Sequence, residues 1–406
     1  MIDFAIPPSI EAQTAALRAV AVNVMRPISR HMDENEHEVP WEYMRFMHQA
    51  MRATGSGSMA GQTPGTGARL GFQTLAFSIE MLSWGDAGLY LCTPGGGLGA
   101  AAVEATGTPE QRERFLARFR GEAPVLACMA MTEAHCGSDT AAIRTRAVRD
   151  GDTWILNGEK VFVTAGHKSL VDTQGFVVVW ATIDPDAGRA GMRPFIVEAG
   201  TAGLSVTKLE KKMGIRVSDT AALVLQDCRI PMQNLLGDPE VRRERGMGFR
   251  GAMATFDATR PLVSASALGV ARAALELVRE RLEHEGLVLR EGLARSRMTS
   301  IERDVTDMEI LLHSAWLLVL KAAWLADEGK PNTLEASMAK IRAGEVVTRI
   351  TQKSVELLGP LGYSRELLLE KWMRDAKIND IFEGTGQINR LIVARRILGY
   401  SSSELR

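Results

Sequence analysis

The sequence predicts an α+β protein with a helical domain at each end of the chain and a β domain between them. Two changes of pattern support this prediction. Apolar residues recur at helical spacing from about residue 10 to 119, short β-branched runs replace them from about residue 125 to 230, and helical spacing returns after Gly246. The 406 residues suffice for two or three domains, which we place at 1–124, 125–240 and 241–406.

The N-terminal region is predicted to be helical because Ala, Leu, Met and Glu dominate it, with an apolar stripe from Trp41 to Met51. Two glycine-rich stretches, 55–71 and 95–99, are predicted to join helices. Residues 95–100 also fit G-x-G-x-x-A, the pattern of dinucleotide-binding loops. That motif requires a preceding strand and a βαβ unit. Here it follows a helical segment, so we interpret it as a joint between helices.

The middle region is predicted to be an antiparallel sheet, because its β-branched runs are separated by short turn sequences. The expected strands are 153–156, 161–164, 175–180 and 221–225, with turns at Arg149-Asp150-Gly151-Asp152 and Asn157-Gly158. The C-terminal region is predicted to be a four-helix bundle, because it contains four long helical patterns with short joints. Those helices are expected near 251–284, 296–328, 333–358 and 386–398.

Charge and cysteine content argue against several classes of function. The chain has 48 basic and 49 acidic residues, and it lacks the clustered basic excess that nucleic-acid phosphates require. The four cysteines form no C-x-x-C pair, so we expect neither a metal cage nor a disulfide framework. They are Cys92, Cys128, Cys136 and Cys228. A reducing cytoplasm fits this pattern best.

The apolar runs do not suggest targeting to a membrane. Asp3 precedes any apolar run and Arg18 interrupts the next one, so we expect neither a signal peptide nor a transit segment. The longest apolar stretch, Ile310 to Leu320, is shorter than the roughly 20 residues of a bilayer span. We predict a buried helix there and no membrane span.

Two stretches in the β region carry side chains that could bind a ligand. Residues 129–139 form a polar loop of small residues after an apolar strand, which could offer backbone N–H groups and hydroxyls to a polar ligand edge. A surface loop that closes the strand is the simpler interpretation. Phe162 and Thr164 are two residues apart and share one face of a strand, where a flat ring system could lie against both. Packing of Phe162 in the core is the alternative.

A third stretch contains a carboxylate beside a helix start. Glu383 precedes Gly384-Thr385-Gly386, and Thr385 is the predicted N-cap of a helix whose free N–H groups suit an anion. Glu383 could be a catalytic carboxylate on a bend, or it could simply compensate the helix dipole. The local pattern alone does not decide between these two roles.

In this order, the three stretches resemble the acyl-CoA dehydrogenase family, and its medium-chain members in particular, over nearly the whole chain. The most specific pieces are Met131-Thr132-Glu133 with Gly137-Ser138-Asp139, Asn157-Gly158-Glu159-Lys160, Phe256 to Pro261, and Met373 to Lys377 leading to Glu383-Gly384-Thr385. The resemblance implies an N-terminal helical domain, a middle antiparallel β-barrel-like domain and a C-terminal four-helix bundle.

The resemblance implies an FAD enzyme that removes a proton from Cα and a hydride from Cβ of an acyl-CoA thioester, giving the trans-2-enoyl-CoA. By position, Glu383 is the α-proton base and flavin N5 is the hydride acceptor. A thioester α-proton is weakly acidic, so Glu383 needs an apolar, water-poor site that raises its pKa. Some family members carry the base just before the position of Arg260, where this chain has Thr259, which cannot serve.

The resemblance also implies which residues bind the ligands. The expected flavin-binding residues are Met129, Met131, Thr132, Gly137, Ser138, Phe162, Thr164, Thr385 and Gln387. The expected substrate-binding residues are Ser138, Asp257 and Arg260. No metal site is expected, although His135 and Cys136 are adjacent.

One departure from the family pattern concerns the FAD phosphates. The family carries R-x-x-F-G about 25 residues after the Arg260 position, and its arginine meets the FAD pyrophosphate of a neighbouring subunit. Ungapped counting places Glu285-Gly286-Leu287-Val288-Leu289 there. An anion in place of a cation should weaken FAD binding unless Arg290 or Arg295 takes over.

Other departures lie elsewhere around the expected cofactor. Glu356 stands where a glutamine near the adenine is usual, which is a second change towards negative charge. The loop carries Ala134-His135-Cys136 where proline and small residues are common, and Phe162 stands where tryptophan is common.

The leading hypothesis is therefore an FAD-dependent acyl-CoA dehydrogenase, a homodimer or homotetramer that passes electrons to an electron-transfer flavoprotein. A non-catalytic or weakly flavinated subunit of a hetero-oligomer is a second hypothesis, motivated by Glu285 and Glu356. Flavin oxidase or monooxygenase chemistry on the same scaffold is a third. Acyl chain length and branching depend on cavity depth, which the sequence does not reveal.

Overall fold

The computed structural model describes residues 5–53, 71–241, 247–400 and 404. Its N-terminal helices are α1 (Pro8–Val20), α2 (Arg26–Glu34), α3 (Trp41–Ala53), α4 (Gly71–Tyr90), α5 (Gly97–Thr106) and α6 (Pro109–Leu116). The predicted joint at 55–71 lies outside the described residues except for Gly71, where α4 begins. The predicted joint at 95–99 is confirmed in part, because α4 ends at Tyr90 but residues 97–99 already belong to α5. Gly96 has φ +88° there, and a Cβ would lie 2.5 Å from the Phe119 ring, so the chain requires glycine.

The middle region is a sheet of seven strands within the described residues. They are β1 (Ala127–Ala130), β2 (Arg146–Asp150), β3 (Thr153–Thr164), β4 (Phe176–Thr182), β5 (Met192–Glu198), β6 (Leu204–Leu209) and β7 (Thr220–Pro231). The strand order is β1-β4-β2-β3-β7-β6, with β5 beside β4. The pairs β2–β3, β3–β7, β4–β5 and β6–β7 are antiparallel, as predicted. The pairs β1–β4 and β2–β4 are parallel, so the prediction of an antiparallel sheet is wrong for these two pairs.

One of the two predicted turns is wrong. The turn at 149–152 connects β2 to β3 as expected, but Asn157-Gly158 lies inside β3, where the pairing register with β7 shifts. Gly158 has φ +150°, and a Cβ there would lie 2.5 Å from Thr145 Oγ1. The glycine therefore permits close approach of a neighbouring segment instead of reversing the chain.

The C-terminal region contains the four long helices that the sequence predicts and one short helix. They are α7 (Met247–His284), α8 (Ser300–Asp327), α9 (Thr333–Tyr363), α10 (Leu369–Ala376) and α11 (Gly386–Leu398). Helix α7 packs against α4, α8 and α9. Small residues such as Ala271 of α7 and Ala343 of α9 are fully buried in the shared core, which lets the helix backbones approach closely.

The prediction of a buried helix at 310–320 is only half right. Helix α8 buries Leu312 and Val319 on one side, whereas Ile310 and Leu317 on the other side are more than half exposed. Among the described residues, α7 and α8 are long and apolar enough by composition to cross a bilayer. Core helices of globular proteins pass the same test, so this is weak evidence for a membrane span.

A buried ion cluster joins the three regions. Lys371 Nζ lies 2.8 Å from Asp86 Oδ2 of α4 and 2.6 Å from Asp375 Oδ2 of α10. Asp375 Oδ1 also accepts a hydrogen bond from the backbone N of Ile215 in the middle region, at 2.5 Å. The cluster fixes α10 relative to both other domains, and with it the turn that leads to Glu383.

Candidate active site

The polar loop after β1 is held by a buried carboxylate. Glu133 accepts hydrogen bonds from Lys160 Nζ at 2.7 Å, from Thr145 Oγ1 at 2.7 Å, and from the backbone N atoms of Arg144 and Thr145. Lys160 also donates to the Met131 carbonyl at 3.0 Å. The loop at 131–139 is therefore fixed to β3 by one buried ion pair.

The charges of this pair stabilise each other. Burial alone would raise the pKa of Glu133, but the Lys160 ammonium and the surrounding donors lower it below its usual value. Burial lowers the pKa of Lys160, and Glu133 opposes that effect. Potential ligand atoms of Glu133, His135 and Cys136 lie within 4.8 Å of one another. The Lys160 ammonium beside this group disfavours a bound cation, because it occupies the carboxylate and adds a like charge.

The expected flavin-binding residues of the loop differ in which of their atoms are accessible to a ligand. The Met129 and Met131 side chains are buried in an apolar cluster with Phe176, and the Met131 carbonyl is bound by Lys160, so a ligand could meet only other backbone groups of these residues. Thr132 uses its carbonyl to accept from Val161 N at 2.9 Å, while Gly137 and Ser138 are exposed. The loop thus presents backbone groups and the Ser138 hydroxyl on its open side.

Phe162 and Thr164 lie together on the open face of β3. Phe162 is 64% exposed, Thr164 is half-buried, and Val163 between them is buried. This alternation agrees with the predicted shared face, and core packing of Phe162 is wrong. Phe162 has φ +58°, where the pairing register of β3 shifts. The strained backbone at Phe162 is a reason to test this position for a function, and its exposed ring is open to contact with a ligand.

The Glu383 turn is strained and tightly held. Glu383 has φ +58° and Gly384 has φ +89°. Arg260 Nε donates to the Glu383 carbonyl at 3.3 Å, and Asn389 Nδ2 donates to the Gly384 carbonyl at 2.8 Å. Thr385 caps α11 by accepting from Ile388 N at 3.3 Å, as predicted. These bonds offset the cost of a non-glycine residue at positive φ, which is about 1–3 kcal/mol.

The Glu383 carboxylate lies in a protected environment between helices. Its Oε2 accepts a hydrogen bond from Thr259 Oγ1 at 2.8 Å. The side chain is partly accessible, yet the surrounding protein desolvates it and raises its pKa. Thr259, Arg260 and Lys340 lower the pKa, and burial outweighs them. The direction is the one expected for a carboxylate that must remove a weakly acidic proton.

Asp257 and Arg260 form an ion pair beside this turn. Arg260 Nη1 donates to Asp257 Oδ1 at 3.2 Å, and Thr333 Oγ1 donates to Asp257 Oδ2 at 2.6 Å. Burial raises the pKa of Asp257, although its partners oppose the shift. Gln387 is exposed on the first turn of α11. The structure thus brings Asp257, Arg260 and Glu383 together, and their predicted roles towards ligands stay predictions.

Sequence reasoning missed two residues near Glu383. Burial and the negative charge of Glu383 together raise the pKa of Tyr90, at the end of α4. Lys340 of α9 is buried and within electrostatic reach of Glu383. A signal for Lys340 was present, since it interrupts the apolar stripe of Ala336, Ala339 and Ala343. No local pattern pointed to Tyr90.

Thr259→Val is expected to raise the pKa of Glu383, because it removes a hydrogen bond to the ionised form. One such bond corresponds to about one pKa unit. As the solution is acidified, a reaction that needs ionised Glu383 should then lose its rate at a pH about one unit higher than in the wild type. The pH profile of the expected flavin reduction by an acyl-CoA measures this shift. Thr259→Ser keeps the hydroxyl and should retain the wild-type profile, and an unshifted Thr259→Val profile would contradict the prediction.

The structure shows the contacts of the charged residues that depart from the family pattern near the expected cofactor. Glu356 accepts from Lys353 Nζ at 2.5 Å, and this contact lowers its pKa and compensates its charge. Glu285 is exposed, and its Oε1 lies 3.8 Å from His284 Nδ1. Arg290 is engaged by Glu302 and Arg295 by Asp307, each through two side-chain hydrogen bonds. Either arginine would have to leave its carboxylate to replace the missing one.

Three family models match the chain in order. They are the acyl-CoA dehydrogenase N-terminal domain at residues 8–122, the middle domain at 128–228 and the C-terminal domain at 246–398. Short-chain specific acyl-CoA dehydrogenase from Bos taurus mitochondria is 35% identical over 396 residues, covering 97% of this chain and 91% of the relative. The similarity found is thus to short-chain members, whereas the motifs suggested medium-chain members.

Solved structures give the same result. Butyryl-CoA dehydrogenase from Megasphaera elsdenii matches with a TM-score of 0.83 and 30% identity, covering 98% of this chain and 100% of that one. A chain in a structure described as the electron transferring flavoprotein of Acidaminococcus fermentans matches with the same TM-score, identity and coverage.

Proposed function

Because this chain belongs to the acyl-CoA dehydrogenase family, we propose that it catalyses FAD-dependent α,β-dehydrogenation of an acyl-CoA thioester, with Glu383 as the base. The chain is an oxidoreductase of that family, and the proposal concerns its reaction and residues. The observation that carries the proposal is the Glu383 carboxylate, which is desolvated, bound by Thr259 and fixed on a strained turn. A general base needs both a fixed position and a raised pKa.

The residues around the open face of β3 fit a flavin. Phe162 offers an exposed ring, Thr164 a hydroxyl, and the loop at 131–139 backbone donors beside them. The Phe162 ring is unfavourably hydrated when it faces water. A bound isoalloxazine ring would cover it. When bound, FAD supplies the hydride acceptor. Ser138, Thr164 and the backbone of residues 131 and 132 would hold it.

Glu383 would take the α-proton of the substrate in its ionised form. Thr259 keeps the carboxylate oriented, and Arg260 fixes the backbone of the same residue. Desolvation makes the carboxylate a stronger base than it would be in water, because the neutral form is favoured in the protected site. The reacting thioester would therefore meet a base that needs little rearrangement.

A visible spectrum tests the proposal directly. We expect purified protein to carry a yellow flavin chromophore that loses its colour on anaerobic addition of a saturated acyl-CoA. Butyryl-CoA is the first substrate to try, since similar proteins act on short chains, and a graded series then measures chain length. The corresponding enoyl-CoA is the control, because it has no hydride to give. A yellow protein that no acyl-CoA bleaches would refute dehydrogenation.

A specific observation favours the second candidate, a weakly flavinated subunit of a hetero-oligomer. Glu285 stands at the expected arginine position, and the candidate replacements Arg290 and Arg295 are each engaged by a carboxylate. Protein that is colourless alone, and that becomes yellow only when co-expressed with a related subunit, would support this candidate over the first.

The proposal includes an acceptor and a location. Electrons would leave to an electron-transfer flavoprotein, and the protein would act as a homodimer or homotetramer. All four cysteines are free and buried in the structure, which supports the reducing cytoplasm that we propose as its location.

A further inference from the structure

We propose that Lys340 is a positioning residue for Glu383, because its ammonium anchors the segment just before the base and adds a fixed positive charge behind it. This inference rests on the proposed role of Glu383. It concerns a residue of α9 that lies outside the three sequence stretches that carry the family resemblance.

The anchoring contact is buried. Lys340 Nζ donates to the backbone carbonyl of Asn379, which belongs to the short 3-10 turn Lys377–Asp380. Asn379 is itself buried, and its Nδ2 donates to the Ala376 carbonyl at 3.1 Å. The next backbone bonds run from Ile381 and Phe382 back to Ile378. Lys340 therefore holds the turn from which the chain enters the Glu383 bend.

Helix α9 approaches this turn too closely for it to move freely. A Cβ at Gly344, one helical turn after Lys340, would lie 3.1 Å from the Asn379 carbonyl and 3.3 Å from Asp380 Cα. The Lys340 ammonium also lies 5.8 Å from the centre of the Phe382 ring, within range of a cation–π interaction. The lysine thus contacts both sides of the turn, and the residue after Phe382 is the base.

The anchoring completes a set of three donors along the bend. Lys340 binds the carbonyl of Asn379, Arg260 binds that of Glu383, and Asn389 binds that of Gly384. They come from α9, α7 and α11. A residue at φ +58° needs such support, because its backbone would otherwise relax and carry the carboxylate away.

Glu383 and Lys340 lie close to each other and share Arg260 as a charged neighbour. Glu383 faces Thr259 and Arg260 of α7, Lys340 of α9 and Tyr90 of α4. Lys340 faces Glu383, Asp380 and Arg260. Burial lowers the pKa of Lys340 to about 8, while Glu383 and Asp380 oppose the shift. At neutral pH the ammonium is charged, and it favours the ionised form of Glu383.

Substitution of Lys340 separates its two roles. Lys340→Met removes the donor and the charge, Lys340→Gln keeps a donor without the charge, and Lys340→Arg keeps both. Lys321→Met on the exposed face of α8 is the control for the substitution itself, since that lysine is 59% exposed. Lys340→Gln replaces Lys340→Met in the test if the latter folds poorly, because it places an amide and not an apolar group against the buried Asn379 carbonyl.

The pH profile of kcat is the main measurement. We expect Lys340→Met and Lys340→Gln to move its acidic limb upward by about one pKa unit, which is a tenfold loss of rate below that limb. KM should change little, because Lys340 is buried and its ammonium is bound to the Asn379 carbonyl. Lys340→Arg should recover the wild-type limb. A Lys340→Met or Lys340→Gln profile that superimposes on the wild type would overturn the inference.

Hydrogen exchange separates this inference from the proposed function. Amides in residues 377–388 should exchange faster in Lys340→Met than in the wild type or in Lys321→Met, whether or not the protein dehydrogenates acyl-CoA. Wild-type protein that no acyl-CoA bleaches would refute the function, while faster exchange in Lys340→Met would still support the anchoring role. Unchanged exchange in this segment would overturn the anchoring role.

Discussion

Glu383→Gln is expected to retain its flavin and to lose bleaching by acyl-CoA. Removing a general base lowers a rate by about 10²–10⁴-fold. Glutamine has nearly the same shape as glutamate, and its carbonyl oxygen can still accept from Thr259, which lies 2.8 Å from the carboxylate in the wild type. The turn should keep its conformation, so the loss reports chemistry and not folding.

The rate of flavin reduction in stopped-flow mixing with butyryl-CoA measures this effect. Flavin content and the melting temperature of the variant should match those of the wild type. Glu366→Gln, the same change at an exposed carboxylate after α9, is the matched control and should leave the rate unchanged. A Glu383→Gln protein that is bleached as fast as the wild type would remove Glu383 from the mechanism.

The wild-type rate should also depend on pH in a defined direction. Because burial raises the pKa of Glu383, the ionised base is lost at a pH higher than for a free glutamate as the solution is acidified. This acidic limb should disappear in Glu383→Gln, whose amide does not titrate in this range. The acidic limb of the wild type and the loss of rate in Glu383→Gln would then both be due to the Glu383 carboxylate.

Local pattern predicted most of the fold. Apolar spacing of 3.6 residues placed the four long C-terminal helices, because each must bury one face against its neighbours. It did not predict that α8 leaves Ile310 and Leu317 exposed, since composition does not say which partners cover a helix. Asn157-Gly158 has the composition of a hairpin turn. Position 158 requires glycine because Thr145 lies too close for a Cβ, and a local sequence rule does not include that contact.

The candidate site shows the same division. The short motifs located Glu383, Phe162 and the loop at 131–139, because these residues lie in distinctive sequence contexts. The contacts that tune them come from distant parts of the chain. Lys340 reaches Asn379 across 39 residues, and Thr259 reaches Glu383 across 124. Such pairings follow from helix packing, which single-sequence patterns do not specify.

Lys160→Met is expected to destabilise the middle domain strongly and to reduce flavin content. The ammonium is fully buried, and its loss leaves Glu133 as a buried carboxylate without a counter-ion. Breaking such a pair from one side costs about 3–5 kcal/mol. The effect should reach the cofactor, because Lys160 also holds the Met131 carbonyl at the start of the loop.

The measurement is the urea midpoint of unfolding, together with flavin retained after gel filtration. Lys208→Met is the matched control: Lys208 pairs with Glu210 on the exposed side of the same sheet, where a surface pair contributes about 0–1 kcal/mol. Adding Glu133→Gln to Lys160→Met should recover part of the stability, because the remaining partner is then uncharged. A Lys160→Met protein that is no less stable than Lys208→Met would contradict the prediction, since backbone bonds alone would then hold the loop at 131–139.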